Sequence, residues 1–140
     1  MTRPRWIVCE DGDEYIARFA RFLGAELDFV PTADAAGLLD AVAVGAAGVL
    51  LDLDFRRTPA ARLIDPDGRA GAADPEQLAQ SQGVYLARLL RARGYTLPVF
   101  LFADFDDPER AALLERTLAP LEVVASGVGL AELAARLRRR

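Results

Sequence analysis

Gly48-Val49-Leu50-Leu51-Asp52-Leu53-Asp54 is an apolar run that ends in two acids. A short continuous apolar stretch behind a Gly-containing turn fits a strand covered on both faces, as in the centre of a parallel sheet. Trp6-Ile7-Val8-Cys9 repeats the pattern and runs into Glu10-Asp11. Side by side in a parallel sheet, two such strands bring their acids to one edge. In open α/β sheets, sites form at the carboxyl ends of the strands.

Working outward, the elements alternate. Asp11-Gly12-Asp13 supplies turn and cap chemistry. Tyr15, Ile16, Phe19, Phe22 and Leu23 then form one helical stripe that Gly24 ends. A more polar strand is expected over 26–30, closed by Pro31 and nearer an edge, with Thr32 capping a helix over 33–44. The central strand covers 49–53. Asp74-Pro75-Glu76 reads as a helix start, with Asp as cap and Pro in the first turn, and the spacing predicts one helix to residue 93. An apolar strand over 98–103 follows. Asp107-Pro108-Glu109 then starts a helix to about residue 118. A fifth strand over 121–125 and an amphipathic helix over 130–138 complete five βα units. Right-handed crossovers then give a parallel sheet with helices on both faces.

Between strand and helix, residues 55–74 hold two Pro, two Gly, four Arg and three Asp with little periodicity. Roughly 20 residues is long for such a connection. It reads either as a disordered insertion or as a partner-binding lid to which Phe55, Leu63 and Ile64 contribute.

Composition sets limits. The chain has 140 residues, 52% hydrophobic and 27% charged, which fits one compact domain spanning 1–140. Its net charge of −4 argues against nucleic acid as the main partner. No stretch approaches the roughly 18 apolar residues of a membrane span. Cys9, the only cysteine, reads as a buried thiol; without a disulfide framework a cytoplasmic location is expected. All 17 cations are arginines, and lysine and histidine are absent. Neither an ammonium nor an imidazole can therefore assist the acids.

Taken in order, several segments resemble response-regulator receiver domains over essentially the whole length. Ile7-Val8-Cys9-Glu10-Asp11 resembles their first strand with its acidic pair. Val49-Leu50-Leu51-Asp52-Leu53 resembles the third strand with the phospho-accepting aspartate. Gly83-Val84-Tyr85-Leu86-Ala87-Arg88-Leu89-Leu90-Arg91 resembles the third helix, and Leu97-Pro98-Val99-Phe100-Leu101 the fourth strand. The resemblance implies a flavodoxin-like (βα)5 three-layer fold with a five-stranded parallel sheet of order 2-1-3-4-5. It also implies Mg²⁺ on Glu10, Asp11 and Asp52, with Asp52 as the phospho-acceptor. Oxygen ligands suit that ion, which would offset the repulsion among the carboxylates.

The chain departs from that family where phosphorylation is read. The switch hydroxyl after the fourth strand is replaced by Ala103. The lysine after the fifth strand has no counterpart in Val124-Ala125-Ser126-Gly127. The aromatic of the fifth strand is missing from Glu122-Val123-Val124. The reading is a non-enzymatic pseudo-receiver, a protein-interaction module whose partner is a histidine kinase or another signalling protein. A homodimer through the fourth and fifth strands and their helices stays open. The main alternative is a genuine receiver phosphorylated on Asp52.

Two weaker alternatives remain. Leu97–Asp104 and Gly129–Ala134 resemble the N-terminal wing domain of bacterial ornithine/lysine/arginine decarboxylases. Asp52-Leu53-Asp54 resembles the aspartate pair of haloacid-dehalogenase-type phosphatases, in which the first acid is the nucleophile. Around the three acids, Asp54 and Asp104 are candidate members of the pocket. Arg56 or Arg57 is expected to fold back and replace the missing lysine.

Overall fold

The computed structural model describes residues 3–65 and 74–139. Part of the long connection, residues 66–73, lies outside them. Five strands, β1 (Arg5–Cys9), β2 (Asp28–Thr32), β3 (Gly48–Asp52), β4 (Val99–Phe102) and β5 (Leu121–Val124), pair in parallel in the order 2-1-3-4-5. The helices are α1 (Glu14–Leu23), α2 (Ala35–Val44), α3 (Pro75–Gln80), α4 (Gln82–Ala92), α5 (Pro108–Thr117) and α6 (Leu130–Arg138).

Alternation along the strands builds two apolar layers. Trp6, Val8, Leu50, Phe100 and Phe102 face Phe19 and Leu23 of α1 and Leu133 and Leu137 of α6. Ile7, Cys9, Val49, Leu51 and Leu101 face Leu38 and Val42 of α2, Leu86 and Leu90 of α4, and Leu114 of α5. The central strands are thus covered on both sides, which is why they are almost continuously apolar. Cys9 is buried in this packing, and burial pushes its thiol up to about 12. Among the described residues, no helix is long and apolar enough to cross a membrane.

Several local expectations give way to tertiary context. β2 lies two residues later than the spacing predicts and includes Pro31, opposite Val8. An edge strand tolerates a residue without an N–H, and the pairing continues to the acidic end through Glu10 N–H donating to the Thr32 carbonyl at 3.1 Å. Asp34, not Thr32, caps α2 by accepting from Gly37 N–H, while the Thr32 hydroxyl donates to the Val8 carbonyl. Phe22 is 59% exposed and lies off the buried stripe of α1.

The predicted helix from Asp74 to Arg93 is two helices broken at Ser81. The cause is close docking on the end of β3. Gly83 N–H donates to the Leu53 carbonyl at 2.9 Å, and Phe55 N–H to the Ala79 carbonyl at 2.8 Å. A Cβ on Gly83 would overlap the Asp52 carbonyl and approach Leu53 Cα to 2.8 Å. Only glycine lets the helix approach the backbone that carries Asp52 and Asp54.

Candidate functional site

The order 2-1-3 brings the ends of β1 and β3 together, and with them the acids. Register places Leu51 beside Cys9 and Asp52 beside Phe102. Glu10 and Asp52 follow Val8 and Leu50 by two residues, so both emerge on the face covered by α1. Each acid meets a different partner.

Glu10 is 3% exposed and accepts from the N–H groups of Tyr15 (3.1 Å) and Ile16 (2.9 Å) in the first turn of α1. It does the capping that Asp13, without a side-chain cap bond, does not. Burial nevertheless pushes its carboxyl above the usual range, with the two amides opposing.

Asp11 has a side chain only 6% exposed, and both its oxygens are taken by Arg57. The Arg57 N–H donates to one oxygen at 2.9 Å and Nη2 to the other at 3.1 Å. The same guanidinium forks onto Glu14 at 2.8 and 3.0 Å. That bond brings the Glu14 carboxyl down to about 2 and raises the guanidinium above its ordinary value. Arg56, one residue earlier, is occupied elsewhere: its N–H and Nε both bind Asp54, at 3.0 and 2.7 Å.

Asp52 accepts one hydrogen bond, from Leu53 N–H at 2.9 Å. Burial, and then the charges of Asp11, Glu10 and Asp54, push its carboxyl up to about 7. Tyr15 belongs to the same group. Its ring stacks on Phe102 at 4.8 Å, and burial followed by the Asp52 charge pushes its hydroxyl up to about 12.

Across the edge, Ala103 is buried and offers only a methyl group. Asp104 turns away to the loop after β5. It accepts from Ser126 N–H at 3.0 Å and from the Ser126 hydroxyl, and these bonds lower its carboxyl. The loops after β4 and β5 are thereby clasped to each other.

The structure thus gathers Glu10, Asp11 and Asp52 at one edge but does not make them a ligand set. Among the described residues, no group of three or more His, Cys, Asp or Glu could hold a metal ion. Glu10 is directed to helix amides and Asp11 to a guanidinium, so the donor set does not fit the ion.

Glu14, Tyr15 and Ser126 belong to this edge although their sequence context points elsewhere. Glu14 and Tyr15 look like an ordinary first helical turn, and Ser126 like a turn residue. The signal available for Glu14 was its place directly after an acidic run, where one arginine can serve several acids.

No family model matches the sequence, and no curated protein matches it significantly. Solved structures do resemble the fold. The receiver domain of the Francisella response regulator 1452 aligns with a TM-score of 0.66 at 18% identity, covering 98% of this chain and 95% of that one. The BeF3-activated N-terminal receiver domain of Klebsiella pneumoniae RstA gives 0.66 at 22%, with 96% of each chain covered. A two-component response regulator from Clostridium difficile gives 0.68 at 11%, covering 99% and 98%. The fold is that of response-regulator receiver domains.

Proposed function

We propose that the chain is a pseudo-receiver: a non-enzymatic interaction module in signalling that does not switch through phosphorylation of Asp52. The observation that carries this reading lies beside Asp52. Ala103 presents a methyl group, and the loop after β5 presents Ser126, already engaged by Asp104. A phosphoryl group on Asp52 would bring about two negative charges to an edge that already carries Glu10, Asp11 and Asp54. It would meet neither a side-chain hydroxyl from β4 nor an ammonium from β5. Without a differential contact, occupancy cannot bias one conformation over another.

The partner in this reading is another signalling protein, met on the side formed by β4, β5 and α5, where Leu113 is 51% exposed. Amide spectra of the labelled chain test the reading. Beryllofluoride with Mg²⁺, a phosphoryl mimic, should leave the resonances of Ala103, Asp104, Val124 and Ser126 in place. Saturable shifts at those positions would overturn it and favour a working receiver.

A further inference from the structure

We infer that Arg57 is the resident cation of the acidic edge, its guanidinium standing where a divalent ion would otherwise offset Asp11. Three independent features point this way.

First, the Asp11 side chain is only 6% exposed, and Arg57 satisfies both its oxygens through one backbone and one side-chain donor. A nearly buried carboxylate needs a paired and hydrogen-bonded counter-charge. Mg²⁺ demands near-octahedral oxygen contacts at about 2.0–2.1 Å. To bind either Asp11 oxygen it would have to displace the donor already held there.

Second, the backbone is cut to fit the guanidinium. A Cβ built on Gly12 would overlap both Nη2 of Arg57 and Oε2 of Glu14, and would lie 2.8 Å from Cζ of Arg57. The absent side chain at Gly12 leaves the space in which the guanidinium and the Glu14 carboxylate meet.

Third, the arm that carries Arg57 is anchored. Phe55 is fully buried and bonded through its N–H to Ala79, and Thr58 N–H donates back to the Phe55 carbonyl. Asp54 holds Arg56 N–H and Nε on the outer side, which leaves the next residue directed inward. Arginine stays charged at every working pH, so the cation itself is not lost by titration.

The consequence is a chain that carries its own cation, bound to both the start of α1 and the loop after β3. The native protein takes up no divalent ion at this edge, and removing the guanidinium creates the affinity. This inference concerns charge balance and is separate from whether Asp52 accepts phosphate. The test contains no phosphodonor, so its failure would leave the pseudo-receiver reading standing.

Mn²⁺ and Mg²⁺ binding to the full chain decides it, read by calorimetry and by thermal unfolding with and without the ion. The native chain should show no saturable stabilisation. Arg57→Ala should unfold at lower temperature without the ion, recover with it, and bind Mn²⁺ at least about tenfold more tightly than the native chain, a difference of about 1.4 kcal/mol. Adding Asp11→Asn to Arg57→Ala should abolish that gain. Gly12→Ala keeps every charge but crowds the guanidinium and the Glu14 carboxylate where they meet, so it should loosen the Arg57 contact and gain Mn²⁺ affinity as well; it serves in place of Arg57→Ala if that variant does not fold. Native binding as tight as that of the variants, or folded variants that bind no Mn²⁺, would overturn the assignment.

Discussion

Replacing Asp52 with Asn should stabilise the protein at neutral pH, and the pH at which the gain appears follows from the geometry. The half-buried Asp52 carboxyl has one N–H donor of its own and lies near Asp11, Glu10 and Asp54. These surroundings carry it from an ordinary 3.8 to about 7. The native state therefore holds a proton that the unfolded chain releases between those values. Where the native state binds more protons, stability falls as pH rises.

Well below pH 3.8 the carboxyl is neutral in both states, and the native chain and Asp52→Asn should respond alike. From there to about pH 7 the native chain should lose ground, and above that the gap should stay constant. A shift of about three units corresponds to a ceiling near 4 kcal/mol. Solvent reaches part of this carboxyl, so screening reduces the expected change to about 2 kcal/mol. Urea unfolding of both chains from pH 4.5 to pH 8 measures it. A gap that does not vary with pH would refute the argument, because it would mean that the site stabilises the Asp52 charge. Added Mg²⁺ should leave the gap unchanged.

Two further substitutions test how the edge is held in place. Gly83→Ala drives a Cβ into the backbone at Asp52 and Leu53, which cannot yield as a side chain can. It should cost about 3 kcal/mol in urea unfolding, the upper range for overpacking. Arg91 donates to the carbonyls of Tyr95, Leu97, Leu118 and Pro120 at 2.9 to 3.0 Å, tying the ends of α4 and α5 to the strands that follow. Arg91→Met leaves these acceptors without that donor and should cost about 3 kcal/mol, after allowing for the relief of a partly buried charge; an unchanged urea midpoint would contradict it.

The sheet was legible because parallel strands covered on both faces leave an unmistakable apolar run, and because Asp-Pro-Glu marks helix starts twice. The positions of Glu10, Asp11 and Asp52 followed from strand ends alone. What each acid faces did not. Glu10 turns to amides five and six residues ahead, an arrangement set by how α1 docks rather than by any local motif. Whether Arg56 or Arg57 points inward depends on the turn at Asp54, where a shift of one residue reverses direction. The break at Ser81 and the inclusion of Pro31 in β2 both arise from tertiary placement: docking on the end of β3 in one case, the edge position of β2 in the other. Sequence periodicity carries no record of such contacts.

Phosphorylation itself is the most direct measure of the account. The native chain, incubated with a small phosphodonor and Mg²⁺ and followed by intact mass, should show no stable phosphoryl adduct. A lasting mass gain that Asp52→Ala abolishes would contradict the pseudo-receiver reading.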